Sequence, residues 1–222
     1  MTMTLVNTLA PEAIAAGVNP RTTTFNAGTM TNGVLLLAMT TMDVDDQITG
    51  VTWGGAAMTL LGEAAVGSAD PCCLWGLVSP ANGTQTISMT YTGDGQYGGQ
   101  IWGASFSCSA TPSFGAGVTN TATGTSVSTG SVTCPSGGNV VGVMHHSFSG
   151  SDPTLTSAGT SIILNRLSNK SKGFAIHTST VSFAWTCGSS QLWSAVGVPI
   201  NVGGGGGGFK AAWARPRSRI IQ

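Results

Sequence analysis

Apolar and polar positions along this chain fall into short runs broken by clusters of Gly, Asn, Ser, Asp and Pro. Residues 86–92 alternate strictly, which places Ile87, Met89 and Tyr91 on one face of a strand. Residues 33–42 carry the unbroken run Leu35, Leu36, Leu37 and predict a buried strand. Residues 48–53 and 57–61 flank Gly54-Gly55, the signature of a tight hairpin turn. Further strand-like runs cover 73–78, 100–108, 125–133, 139–148, 161–167, 174–178, 181–185 and 192–198. Roughly ten strands at spacings of about 10–15 residues predict an all-β, two-sheet β-sandwich of jelly-roll or immunoglobulin-like type. No repeat of fixed period is present, which argues against a solenoid or propeller.

The pattern divides the chain into three zones. Residues 1–27 read as a polar, irregular N-terminal arm containing Pro11 and Pro20, with one helical turn over 11–16 ending at Gly17. Residues 28–202 hold the strand series and form the sandwich domain. Residues 203–222 are a hexaglycine followed by a basic and aromatic tail.

Composition reinforces the all-β reading. Only 7% of residues are charged while 41% are apolar, so the chain lacks the high charge of disordered sequences. Its polar remainder is mostly Thr, Ser, Gly and Asn, which suit pleated surfaces and turns. A free monomer needs charge for solubility and to guard its sheet edges, so a surface this neutral fits a protein covered by neighbours. The net charge of zero also hides an asymmetry. Residues 1–202 hold eight acids and the four bases Arg21, Arg166, Lys170 and Lys172, giving 4 − 8 = −4. The tail carries Lys210, Arg215, Arg217 and Arg219 with no acid, giving +4.

The N-terminus lacks the basic and apolar regions of a signal peptide, and no apolar run is long enough to span a bilayer. Cytoplasmic synthesis without a membrane anchor is the expectation. Five cysteines, an odd number, read as thiols acting as small hydrophobes.

Three segments carry a resemblance. Gly33-Val34-Leu35-Leu36-Leu37-Ala38-Met39 is followed by Val51-Thr52-Trp53-Gly54-Gly55-Ala56-Ala57-Met58-Thr59-Leu60, then by Leu74-Trp75-Gly76-Leu77-Val78-Ser79-Pro80-Ala81-Asn82-Gly83-Thr84. Together they resemble a recurrent β-sandwich module of tailed-phage virion proteins and bacterial surface proteins, over roughly residues 30–150. The motifs of that module are structural and carry no shared active site. The resemblance implies a shell-decoration, head-fibre or tail-surface role, and it covers neither the basic tail nor Cys72-Cys73.

Candidate chemistry is sparse. Residues 93–98 satisfy G-x-G-x-x-G, but a strand rather than a helix is expected next, so a hairpin turn is the better reading than a dinucleotide site. Asp43, Asp45 and Asp46 read as a solvated turn, since the glycine and terminal glutamate of a calcium loop are missing. His145 and His146 are adjacent on a strand and point to opposite faces, while His177 lies on another strand. No zinc-type spacing or nucleophile elbow occurs. No catalytic residue, metal or cofactor is assigned, and the chain reads as non-enzymatic.

Trp53, Trp75, Trp102, Trp185 and Trp193 sit in apolar strand patterns and read as core. The tail differs. Phe209, Lys210, Trp213, Arg215, Arg217, Arg219, Ile220 and Ile221 interleave aromatic, aliphatic and basic side chains, the combination favoured where one protein anchors in another. Four charges are few for phosphate binding, so a nucleic-acid partner is disfavoured. The leading expectation is a virion structural protein that forms homo-oligomers and contacts other virion proteins through its arm and tail. The alternative is a carbohydrate-binding or adhesin module, which requires exposed coplanar rings among Trp53, Trp75 and Trp102; a hydrolase ranks last.

Overall fold

A computed structural model describes residues 3–41, 47–66, 69–92, 98–147 and 150–202. The described chain is all-β, with sixteen strands in three antiparallel sheets. The first sheet has the order β1-β9-β3-β7-β6, from Met3–Ile14, Gly99–Cys108, Val34–Thr41, Ala69–Val78 and Thr59–Val66. The second, β2-β8-β4-β5, comprises Arg21–Asn26, Thr84–Tyr91, Ile48–Trp53 and Ala56–Ala57. The third follows the path β10-β16-β12-β15-β14, from Pro112–Phe114, Val181–Val202, Asn139–His146, Lys170–His177 and Thr160–Leu167. Strands β11 (Val118–Val132) and β13 (Thr154–Leu155) also pair with β16.

The expected sandwich is present, and it carries a third sheet. Strand β3 explains the layering. Its Leu35, Leu37 and Met39 pack with Phe25, Val51, Trp53, Ile87 and Met89 of the second sheet. Its Val34, Leu36 and Ala38 pack with Val141, Val143, Phe174, Val196 and Val198 of the third. The first sheet is therefore the middle layer, and a strand covered on both faces reads as an unbroken apolar run instead of an alternation.

Strand β12 is buried throughout for a similar reason. Its Val141 and Val143 face the middle sheet, while Val140 and Met144 join a separate cluster with Val127, Val132, Phe183 and Trp185. That cluster exists because the β11–β16 ribbon folds back over the outer face of its own sheet. Between the pairs Gly124↔Gln191 and Ser126↔Thr186, a single residue of β11 faces four of β16. The His146 Nε2 donates to the Gly124 carbonyl at 3.1 Å, and Ser147 N–H to Leu192 O at 3.0 Å, which ties the fold point to β12. A second irregularity sets Thr129 and Gly130 against Phe183, with Gly130 at φ 76° and the Thr129 hydroxyl accepting the Phe183 N–H at 3.1 Å. What reads as two strands, 181–185 and 192–198, is thus one bent strand.

The N-terminal segment needs correction. The expected irregular arm and helical turn over 11–16 are replaced by β1, which pairs with β9 from Met3↔Cys108 to Ile14↔Gly99. Pro11 falls in the register shift between Leu9 and Glu12, where a missing N–H costs the ladder nothing. Leu9 and Ile14 are buried against the second sheet, which offsets the entropy of ordering the segment. Beyond Gly17, β2 pairs with β8. Residues 3–26 therefore belong to the body and are not free to reach a neighbour.

Other expectations hold. Gly54 and Gly55, at φ 54° and 86°, make the two-residue turn between β4 and β5, as a hairpin with both central residues at positive φ requires. The chain then leaves for the middle sheet, so 57–61 is split between β5 and β6. The segment after the glycine-rich 93–98 is strand β9, and Ile87, Met89 and Tyr91 share a buried face.

Candidate functional site

The docking residues expected from sequence, Phe209, Lys210, Trp213, Arg215, Arg217, Arg219, Ile220 and Ile221, lie outside the described residues. So do Asp43, Asp45, Asp46 and residues 93–97. Strand β16 ends at Val202, opposite Pro112.

The body surface is poorer in positive charge than its sequence implies. Of its four Lys and Arg residues, Arg21, Lys170 and Lys172 are buried. Arg166 alone is exposed, donating to the Gly150 carbonyl at 2.7 Å. The Arg21 guanidinium lies 4.3 Å from the centre of the Tyr91 ring, inside the second sheet's contact with the middle layer. Sequence alone misses these burials. The available signal is parity, since Lys170 and Lys172 share a strand face with the core residue Phe174.

Lys172 anchors the most chemically loaded cluster in the described chain. Its Nζ lies 2.8 Å from His145 Nδ1 and 5.4 Å from the centre of the Trp102 ring. The two nitrogens share one hydrogen bond, whose direction follows from the histidine tautomer. Trp102 reaches across from the middle sheet and donates to the Gly173 carbonyl at 3.3 Å. Gln100, two residues earlier on the same face, donates to the Leu167 carbonyl at 3.1 Å. Cys72 is buried nearby, and its thiol is pushed well above the usual range by desolvation and by Cys73, against a smaller opposing pull from Lys172. That thiol stays protonated and is a poor nucleophile. The arrangement fastens the middle and third sheets at one end of their contact.

His146, on the opposite face of β12, has its pKa lowered, chiefly by burial. His177 pairs with Val140 at the far end of the β12–β15 ladder and meets neither of the other histidines. The described body has shallow surface depressions. One, of about 320 Å³, is lined by Val118, Val132, Pro135, Pro199 and their neighbours; another, of about 230 Å³, by Met3, Asn139, Ile176 and His177 among others. Neither takes in Lys172, His145 or Cys72. Among the described residues, no group of three or more His, Cys, Asp or Glu converges as a metal site would require.

All five body tryptophans are core residues, Trp53, Trp75 and Trp102 included. Trp53 meets Phe25 edge to face at 6.0 Å, and Phe183 stacks on Trp185 at 6.0 Å. The five cysteines are free thiols. No family model, curated protein or solved structure matches this chain.

Proposed function

We propose that this chain is a non-catalytic structural protein that assembles with copies of itself and with a larger particle, as a capsid-decoration or other surface component of a tailed-phage virion. The observation that carries the reading is the partition of charge. The body buries three of its four bases, while the tail concentrates four more among Phe209, Trp213, Ile220 and Ile221. A cationic, aromatic segment behind six glycines suits docking onto an acidic, apolar surface of a neighbour, and another copy's body has that sign of charge. The virion setting rests on the module-like segments within residues 33–84. The saccharide-binding alternative loses its stacking face, because the rings it needs are packed inside the sheets.

The test is truncation after Val202. The shortened chain should keep the full chain's melting transition and lose incorporation into particles. Undiminished incorporation would refute the role of the tail.

A further inference from the structure

Every sheet has edges, and this chain guards them unequally. An unpaired edge invites another strand unless it is short, charged, interrupted by proline or covered. In the middle sheet, edge strand β1 carries Pro11 and Glu12, and β6 carries Glu63. In the second, β5 has two residues, and β2 begins at Arg21 directly after Pro20. In the third, β14 carries Arg166, β10 has three residues including Pro112, and β13 has two after Pro153.

Strand β11 is the exception. It runs for fifteen residues without a charge or a proline, and among the described residues it pairs only with β16. Its Thr119, Asn120, Ala122, Thr123, Thr125 and Ser126 are exposed. The Thr121 N–H takes the Asn120 side-chain oxygen at 2.9 Å, the local bond of an amide that no neighbouring strand faces. Strand β6 lies against its start, where a Cβ at Gly62 would fall 3.5 Å from Thr119 Cγ2, and the fold point after Gly124 and the bulge at Thr129-Gly130 interrupt it further on, which leaves 118–124 as one continuous stretch paired along β16.

We propose that the 118–124 edge of β11 is a self-association surface, joining two copies of this chain by antiparallel strand pairing about a two-fold axis. The occupant follows from the charge pattern. A two-fold sets the strand against its own sequence, residue i opposite j and j opposite i, so charges of one sign along it would oppose one another; β11 has none. Threonines at 119, 121, 123 and 125 supply the β-branched, hydroxyl-bearing pairs that stabilise antiparallel partners. This deepens the assembly reading above by naming the contact between copies, which is separate from the tail.

The test uses the full chain and its T121K/T123K variant, with T121S/T123S as the conservative control, followed by sedimentation equilibrium and hydrogen exchange. The wild-type and serine chains should associate in units of twice the 22.3 kDa chain mass. Their 118–124 amides should exchange more slowly as protein concentration rises. The lysine variant should melt as the wild type does at concentrations where both are monomeric, and weaken the dimer by roughly tenfold or more, because lysines of the two copies come opposite or diagonal to one another. A monomeric wild-type chain, or an unchanged dimer in the lysine variant, overturns the proposal. Protection of 118–124 that is independent of concentration also overturns it, because the chain's own tail would then cover the edge. Loss of particle incorporation on truncation after Val202, with an unaltered dimer in the lysine variant, would refute the edge contact and leave the tail's role standing.

Discussion

Gly142→Ala is the sharpest probe of the folded-back ribbon. A Cβ at Gly142 would sit 2.4 Å from Phe183 Cδ2, 2.7 Å from its Cγ and 3.0 Å from its Cβ. The last contact matters most, since a Cβ cannot swing away as the far end of a flexible side chain can. Phe183 is fully buried and stacked on Trp185, so the ribbon has to lift or the ring has to leave its rotamer. Overpacking of this kind costs about 1–3 kcal/mol. For a chain of this length each kcal/mol lowers the melting temperature by roughly 2–4 °C. Phe183→Leu alone should cost about 1–2 kcal/mol in lost burial. In the double variant the new methyl occupies space the ring has vacated, so the combined loss should fall short of the sum by about 1 kcal/mol. Urea and thermal unfolding of the four proteins, followed by tryptophan fluorescence, measure the cycle. A neutral Gly142→Ala, or strict additivity, would refute the packing of Phe183 on β12.

Two further predictions concern titratable groups. The folded pKa of His146 lies below its ordinary 6.5, so the unfolded chain takes up the proton first. Its contribution to stability is complete above that value and is lost as pH falls from about 6.5 toward the folded pKa; His146→Gln should flatten that part of the urea-midpoint profile relative to wild type, and an unchanged slope would contradict the burial. For the thiols, burial pushes Cys73 up to about 12 and Cys108 and Cys187 to about 11, and raises Cys72 well above its ordinary value. A thiol reagent at mildly alkaline pH should therefore label the half-buried Cys134 first and reach the other four at the rate of unfolding; several fast thiols would contradict the packing.

Local elements were legible in the sequence where one short-range rule sufficed. The alternation around Met89 and the Gly54-Gly55 turn each specify their geometry within a few residues. The third layer was encoded less directly. The continuous Leu35-Leu36-Leu37 run signals burial on both faces, but nothing local says which sheets cover them. Residues 181–202 read as two strands because Cys187-Gly188-Ser189-Ser190 is a turn-like cluster, and only pairing with β11 makes it a bend within one strand. The N-terminal segment misled because Pro11 and Glu12 look like a helix start, whereas their place in a register shift of an edge strand depends on β9. Burial of Lys172 was hidden for a related reason. A lysine in a strand is ordinarily exposed, and its partners His145 and Trp102 lie 27 and 70 residues away in sequence.

The central claim is that a body exposing one of its four bases and a cationic, aromatic tail drive assembly together. Sedimentation of the full chain, of the chain ending at Val202, and of a full chain with Lys210, Arg215, Arg217 and Arg219 all changed to Gln tests it most directly, at low and high salt. The account predicts species larger than the dimer for the full chain at low salt, dispersed by high salt and absent from both variants, whose bodies melt as the wild type does. Equal masses for all three proteins under every condition would contradict it.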